Sequence, residues 1–305
     1  MSSSNWQRWG QLPDVSLYHI VLGGYVFMTA NVLLVKFIKP LNSLLLYGKN
    51  RAQTTGDSSE NAQNSKSILS KLIDDIFNLT VPKAWFSHYY VSFFVYCTLI
   101  QIVDIYKAAP VTELASNDVL YKSNKLIHIM LWIQSTRRTL ECFTFTKFAA
   151  NSKINFSHYI VGMAFYALVS LNSYVSLKEL HPIAFSEVWK LITTADVALF
   201  AIFLAASFDQ FRNHYHLATL VKYTIPYKFK LVASPHYTDE IIIYSVVAAI
   251  SCKESLSSFA SINYLSCLIF TVVNLSVTSV DTYKYYQQKF GDKFKLQWAI
   301  LPGIL

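Results

Sequence analysis

Apolar residues in this chain gather into runs close to the roughly 20 needed to cross a bilayer as a helix, with polar residues collected between them. Seven runs stand out: Leu17–Ile38, Ala84–Tyr106, Leu126–Phe148, Phe156–Leu177, Val188–Ser207, Glu240–Cys252 and Ile262–Val280. The pattern predicts an all-α, polytopic membrane protein with about seven transmembrane helices in one bundle. Arg137 and Arg138 interrupt the third run. The sixth is short enough to predict a tilted or re-entrant helix. Between the first two runs, Gly48 to Ser67 is rich in Asn, Ser, Thr and Gln and reads as a disordered loop. Ile68, Leu69, Leu72, Ile73 and Ile76 then fall at helical spacing, which predicts an amphipathic surface helix over Ile68–Asn78. The expected division is an N-terminal anchor helix plus polar cytosolic loop over 1–80 and a membrane domain over 81–305.

Composition agrees. The 305 residues are 53% hydrophobic and 14% charged, where soluble domains carry roughly 25% charged residues. The 20 tyrosines and 21 phenylalanines exceed what interfacial belts require. The surplus packs helices together or lines an interior cavity for lipid or cofactor. Cys97, Cys142, Cys252 and Cys267 form no CxxC pair and read as buried free thiols. The net charge of +8 sits mostly in loops between apolar runs, so no nucleic-acid partner is expected. Before Leu17 the chain is mostly polar, and the first run is long enough to remain as an anchor rather than act as a cleaved signal. Lys and Arg are denser after runs one, three, five and seven than in the other connections, which predicts a lumenal N-terminus. The sequons at Asn78 and Asn155 then face the cytosol and that at Asn274 lies in a span, so none is expected to carry glycan.

Under this topology the unusual polar residues collect on the cytosolic side: Ser87-His88-Tyr89, Arg137-Arg138 with Glu141, Asn155 to Tyr159, Asp209 to His214, His236 to Glu240, and Lys284 to Tyr286. Titratable groups at membrane depth are costly and tend to mark function. With eight glycines and neither a G-x-G-x-x-G run nor a P-loop, a Rossmann domain is excluded. A dinucleotide would have to be held by side chains, with arginine and lysine on phosphates and tyrosine on flat rings. The i, i+2 spacing of His214 and His216 is poor for a helical ligand pair, and no metal is expected.

Several of these stretches carry a resemblance: Val-Pro-Lys-Ala-Trp-Phe-Ser-His-Tyr-Tyr (81–90), Ser-Thr-Arg-Arg-Thr-Leu-Glu-Cys (135–142), Asn-Phe-Ser-His-Tyr (155–159), Asp-Gln-Phe-Arg-Asn-His (209–214) and Ser-Pro-His-Tyr-Thr-Asp-Glu (234–240). Together with Lys-Tyr-Tyr and the Ile-Leu-Pro-Gly-Ile-Leu ending, they resemble the steroid 5α-reductase family over about Val81 to Leu305, most closely its polyprenol reductase branch. The resemblance implies an NADPH-dependent reductase of an enone or enal in the endoplasmic reticulum membrane, with cytosolic access for the cofactor and a long-chain polyprenoid lipid as substrate. By position it puts Arg138, Asn213, His214, His236, Glu240 and Tyr286 on the cofactor side. Arg212, Tyr237 and Lys284 lie in the same motifs, and Arg137, Arg138 and Lys222 suit phosphates. Steroid-reducing members have Gln-Glu where this chain has His88-Tyr89, which argues against a steroid. Val221 stands where a basic residue is expected, with Lys222 beside it.

Hydride is a nucleophile, so a double bond conjugated to an aldehyde is an easier acceptor than an isolated allylic alcohol. His88 is the first candidate to polarise the carbonyl, with Tyr89 and Tyr159 as alternatives. Other readings are an enoyl-thioester reductase, a membrane methyltransferase using S-adenosylmethionine, and a transporter. Transporters place polar sites near the midplane at broken helices; here they cluster at helix ends.

Overall fold

The computed structural model describes residues 16–38, 79–107, 116–148, 151–220 and 224–304. The predicted loop over Gly48–Ser67 and surface helix over Ile68–Asn78 lie outside the described residues, as does Lys222. The described chain is built from helices α1 (Leu17–Phe37), α2 (Phe86–Lys107), α3 (Ser116–Thr144), α4 (Phe156–Lys178), α5 (Phe185–Lys190), α6 (Thr194–Thr219), α7 (Pro235–Glu254) and α8 (Phe259–Phe290), with two short strands, β1 (Thr80–Pro82) and β2 (Lys153–Asn155).

Every predicted run has become a long helix, but among the described residues five helices are both long and apolar enough to cross a membrane: α1, α2 with the 3-10 turn before it, α4, α6 and α8 with the turn after it. The other two long helices, α3 and α7, fall short because of polar and charged residues. Those residues face inward. From Tyr121 to His128 all of α3 is buried, including Lys122, Asn124, Lys125 and His128. α3 packs against α7 and also against α2, α4 and α6, while α1 lies against α4 and α8. The most polar helices are thus wrapped by the most apolar ones, as hydrocarbon surroundings require.

Helix ends differ from the apolar runs for identifiable reasons. α3 begins ten residues before Leu126 because its polar first turns are paired inside the protein. Lys122 reaches Asp196 at 2.8 Å and Glu254 at 3.3 Å, Ser123 donates to Glu254 at 2.8 Å, and Tyr121 donates to Asp104 at 2.8 Å. A capping box starts α6: Thr193 Oγ1 accepts from Asp196 N–H at 3.2 Å while Asp196 accepts from Thr193 N–H at 2.9 Å. α6 then runs on to Thr219, so Asp209 to His214 ride on the helix rather than following it. The sixth run is not short: α7 has 20 residues, opened by Pro235 in its first turn, and at 1.5 Å per residue reaches about 30 Å. α8 ends at Gly291, whose φ of +50° a side chain would disfavour.

The two strands clasp the starts of α2 and α4. They pair antiparallel, Thr80 with Asn155 and Pro82 with Lys153. Asn155 is 1% exposed and its side-chain oxygen accepts from Ser157 N–H at 2.9 Å, capping α4. A carboxamide so buried and engaged is poorly placed to receive glycan. At the other end of the chain, residues 298–300 brace the start of α7. Ala233 N–H donates to Trp298 O at 2.9 Å, Ser234 N–H to Ala299 O at 3.1 Å and Thr238 Oγ1 to Ile300 O at 2.7 Å.

Lys122→Met leaves buried Asp196 and half-buried Glu254 with one cation fewer. Removing one partner of a buried pair costs about 3–5 kcal/mol. The variant is expected to lose most of its monodisperse peak in detergent size-exclusion after mild heating, and an unchanged peak would contradict a structural role for this ion cluster.

Candidate active site

At the opposite end of α3 from Lys122, one carboxylate organises a second polar cluster. Glu141, 1% exposed, accepts from Arg137, from Arg138 and from His214 Nδ1, the last at 2.8 Å. The helical spacing of 137, 138 and 141 puts both guanidiniums within reach of the same carboxylate. Arg137 also donates to Gln134 Oε1 at 2.7 Å and to Gln210. Arg138 donates to the Tyr90 hydroxyl at 2.8 Å and stacks over that ring at 4.4 Å from its centroid. Gln134 donates to Glu240 at 3.2 Å, and Gln210 donates to Glu240 and to the His236 carbonyl, the latter at 2.9 Å. Asn213 donates to Asp239 at 2.9 Å and to Asp209 at 3.1 Å. Four helices (α2, α3, α6 and α7) are stitched together by these bonds.

Buried atoms of this cluster that keep hydrogen-bonding capacity are Arg137 Nε and His236 Nδ1, neither of which has a partner. The His236 ring lies 5.4 Å from that of His214 and 4.2 Å from that of Tyr237. A groove of about 480 Å³ runs beside the cluster, walled by Trp132, Leu140, Phe145 and Phe211 with Arg137 and Glu141 among its lining, so Arg137 can be approached from that side. Cations, amides and unpartnered ring nitrogen together suit an anionic, hydrogen-bonding ligand such as a dinucleotide. No group of three or more His, Cys, Asp or Glu side chains among the described residues is placed to hold a metal ion.

The strand clasp brings the three carbonyl-polarising candidates together. His88 Nδ1 lies 3.2 Å from the Tyr159 hydroxyl, and the Tyr89 and Tyr159 rings are 5.5 Å apart. Their settings differ. His88 is exposed at the first turn of α2 with Trp85 against it at 5.4 Å. Tyr89 is buried and spends its hydroxyl hydrogen on the His158 carbonyl at 3.3 Å. Its ring lies so close to Gly162 that a Cβ there would sit 2.6 Å from Cζ. Tyr166 continues the aromatic line inward, 6.5 Å from Tyr89 and 5.5 Å from Tyr90.

Of the cofactor candidates, the structure gathers Arg137, Arg138, Asn213, His214, His236, Tyr237 and Glu240. It sets others apart. Arg212 points outward and pairs with Asp209 at 3.6 Å, because it lies on the far side of α6 from His214. Lys284 is exposed on α8. Tyr286 is buried beside Tyr285, Phe294 and Ala233, one layer behind the start of α7. The sequence pattern gives no role to Tyr90, Gln134, Gln210, Tyr166 and Tyr244, although Tyr90 and Gln210 lie inside the motifs it singles out. Adjacent helical residues point about 100° apart, so nothing in the Tyr89-Tyr90 pair said which one faces Arg138. The two glutamines carry a signal, a lone amide in or beside an apolar run, that their neighbours' charges hid.

The sequence profile of the 3-oxo-5-alpha-steroid 4-dehydrogenase family matches residues 156–305. A polyprenal reductase of Saccharomyces cerevisiae is 33% identical over 245 residues, covering 80% of this chain and 81% of that protein. A polyprenal reductase of Drosophila melanogaster is 27% identical over 261 residues, 74% of this chain and 77% of that one. One from Danio rerio is 25% identical over 201 residues, 61% and 62% of the two chains.

Proposed function

Since the chain belongs to the steroid 5α-reductase family, in its polyprenal reductase branch, and is an oxidoreductase of carbon–carbon double bonds, we propose that it reduces the α-isoprene double bond of polyprenal with NADPH, in the synthesis of dolichol for protein N-glycosylation. The observation that carries the reading is the buried cluster around Glu141, whose unpartnered Arg137 Nε and His236 Nδ1 fit an anionic cofactor.

NADPH held by these residues would supply the hydride that the β carbon of the enal requires. Arg137 and Arg138 offer charge to its phosphates. Asn213, His236, Tyr237 and Glu240 are assigned to its ribose and nicotinamide ends, Tyr286 backs the start of α7 from behind, and His214 holds Glu141 in place. As hydride arrives, the π electrons of the double bond move toward the aldehyde oxygen. A proton then joins the α carbon and leaves a saturated aldehyde. Exposed His88, against the Tyr159 hydroxyl, is suited to pass that proton from water toward the interior, with Tyr89 as a fixed wall between them and Tyr166. The long isoprenoid tail stays in hydrocarbon, because each buried CH₂ is worth roughly 0.8 kcal/mol. Its aldehyde end must therefore come up to the cluster. The Lys and Arg bias of the sequence supports this end facing the cytosol, and the likeness to polyprenal reductases supports the endoplasmic reticulum as the membrane.

Purified protein in lipid nanodiscs is expected to oxidise NADPH when polyprenal is added, giving a product saturated at the α-isoprene unit, and not when polyprenol is added. Oxidation driven equally by the alcohol, or by neither, would contradict the reading. Arg137→Gln is expected to raise the Michaelis constant for NADPH about tenfold or more, the loss of one charge-assisted contact, while Arg138 and His214 still hold Glu141 and expression is kept. His88→Ala is expected to lower turnover by about 10²-fold with NADPH affinity kept, and added imidazole to restore part of it. Near-wild-type turnover would remove His88 from the proton path.

A further inference from the structure

Among the described residues, two buried tyrosine hydroxyls in the centre of the bundle have no oxygen or nitrogen partner: Tyr25 on α1 and Tyr244 on α7, each 1% exposed. A buried hydroxyl left unpaired costs free energy, and folded proteins keep few of them. The Tyr25 hydroxyl lies beside the thiol of Cys267, a weak partner. Tyr244 counts Cys267 and Tyr25 among its neighbours but makes no hydrogen bond to either. It stands one helical turn from Glu240, which accepts from Gln134 and Gln210 in the polar cluster. Across the bundle its neighbours include Tyr90 and Tyr166. Its ring is set edge-on against Phe165, with centroids 5.4 Å apart and planes at 78°, which fixes where the hydroxyl points. Tyr244 thus marks the boundary between the charged cluster and the apolar core of the bundle.

We propose that Tyr244 donates its hydroxyl hydrogen to the aldehyde oxygen of the enal, which deepens the polyprenal reductase reading and rests on it. An aldehyde on a long apolar tail needs a place with hydrocarbon on one side and a donor on the other. Tyr89 spends its hydrogen on the His158 carbonyl, the Tyr90 oxygen is held by Arg138 and Tyr159 lies against the exposed His88, whereas the Tyr244 hydroxyl has no partner. In the step itself, hydride bonds to the β carbon, the C=C pair shifts to lie between the α carbon and C1, and the carbonyl π pair moves onto oxygen. The Tyr244 O–H stabilises that charge and keeps its proton. The proton that completes the reduction reaches the α carbon from water. A fixed donor in a dry site aimed at a developing oxyanion is worth roughly 10²–10³ in rate.

The test is Tyr244→Phe in the full-length protein, with farnesal and NADPH in nanodiscs, and Tyr25→Phe as the control. The expected result is turnover lowered about 10²-fold, an unchanged NADPH dissociation constant, and a thermal midpoint no lower than wild type, since the deleted hydroxyl had no partner. The C=O stretch of bound farnesal is expected at lower frequency in wild type than in Tyr244→Phe, a readout independent of turnover. Tyr25→Phe is expected to change little. Turnover of Tyr244→Phe within about threefold of wild type, or an unshifted C=O band, overturns the assignment. If wild-type protein oxidises no NADPH with any enal, the reading beneath it falls, and the assignment with it.

Discussion

Glu141 is the group on which the active end of this bundle depends. Two guanidiniums placed among apolar helices would be intolerable without a countercharge. Glu141 accepts from both, and its remaining capacity takes up His214 from α6. That single carboxylate joins α3 to α6, Arg137 extends the network through Gln210 toward α7, and Arg138 extends it through Tyr90 to α2. The positions of the candidate cofactor groups follow from this pairing. The far end of α3 carries a second ion cluster, with lysines on α3 and α7 paired to carboxylates on α2, α6 and α7. There, however, each partner is another fixed side chain, and the cluster is closed. At the Glu141 end donors remain to be used. That difference separates a structural ion cluster from a site.

Much of the fold was legible in the sequence because bilayer thickness imposes a length on apolar runs. Each run became a long helix, and the Arg137-Arg138 interruption did not break α3. What the runs do not encode is where a helix stops once it leaves hydrocarbon. α6 carries Asp209 to His214 because its backbone continues to Thr219, and α3 starts at Ser116 because Lys122 and Lys125 find carboxylates on other helices. Hydropathy counts charge as a cost wherever it lies. It therefore cannot recognise a helix whose charges point into the protein, which is why α3 and α7 are central to the bundle and yet fail the apolar criterion.

The site was legible to the extent that chemistry shows in residue type. Arg137, Arg138, His214, His236 and Glu240 come from three separate stretches of sequence and meet in one place. Arg212 and Lys284 look equivalent on paper and turn outward, because helical phase, and not composition, decides which face a residue occupies. Tyr244 was invisible for a different reason. In a chain with 20 tyrosines, nothing separates one that fills space from one whose hydroxyl is left without a partner until the neighbours are known.

The central claim is that this cluster presents a hydride to the β carbon of a conjugated aldehyde. It is tested most directly by where the hydride goes. Polyprenal should be turned over in ordinary water with NADPH deuterated at the transferable C4 position, and the product examined by NMR. The account predicts deuterium at C3 of the α-isoprene unit and none at C1. Deuterium at C1, as in simple reduction of the aldehyde, or none in the product, would contradict it.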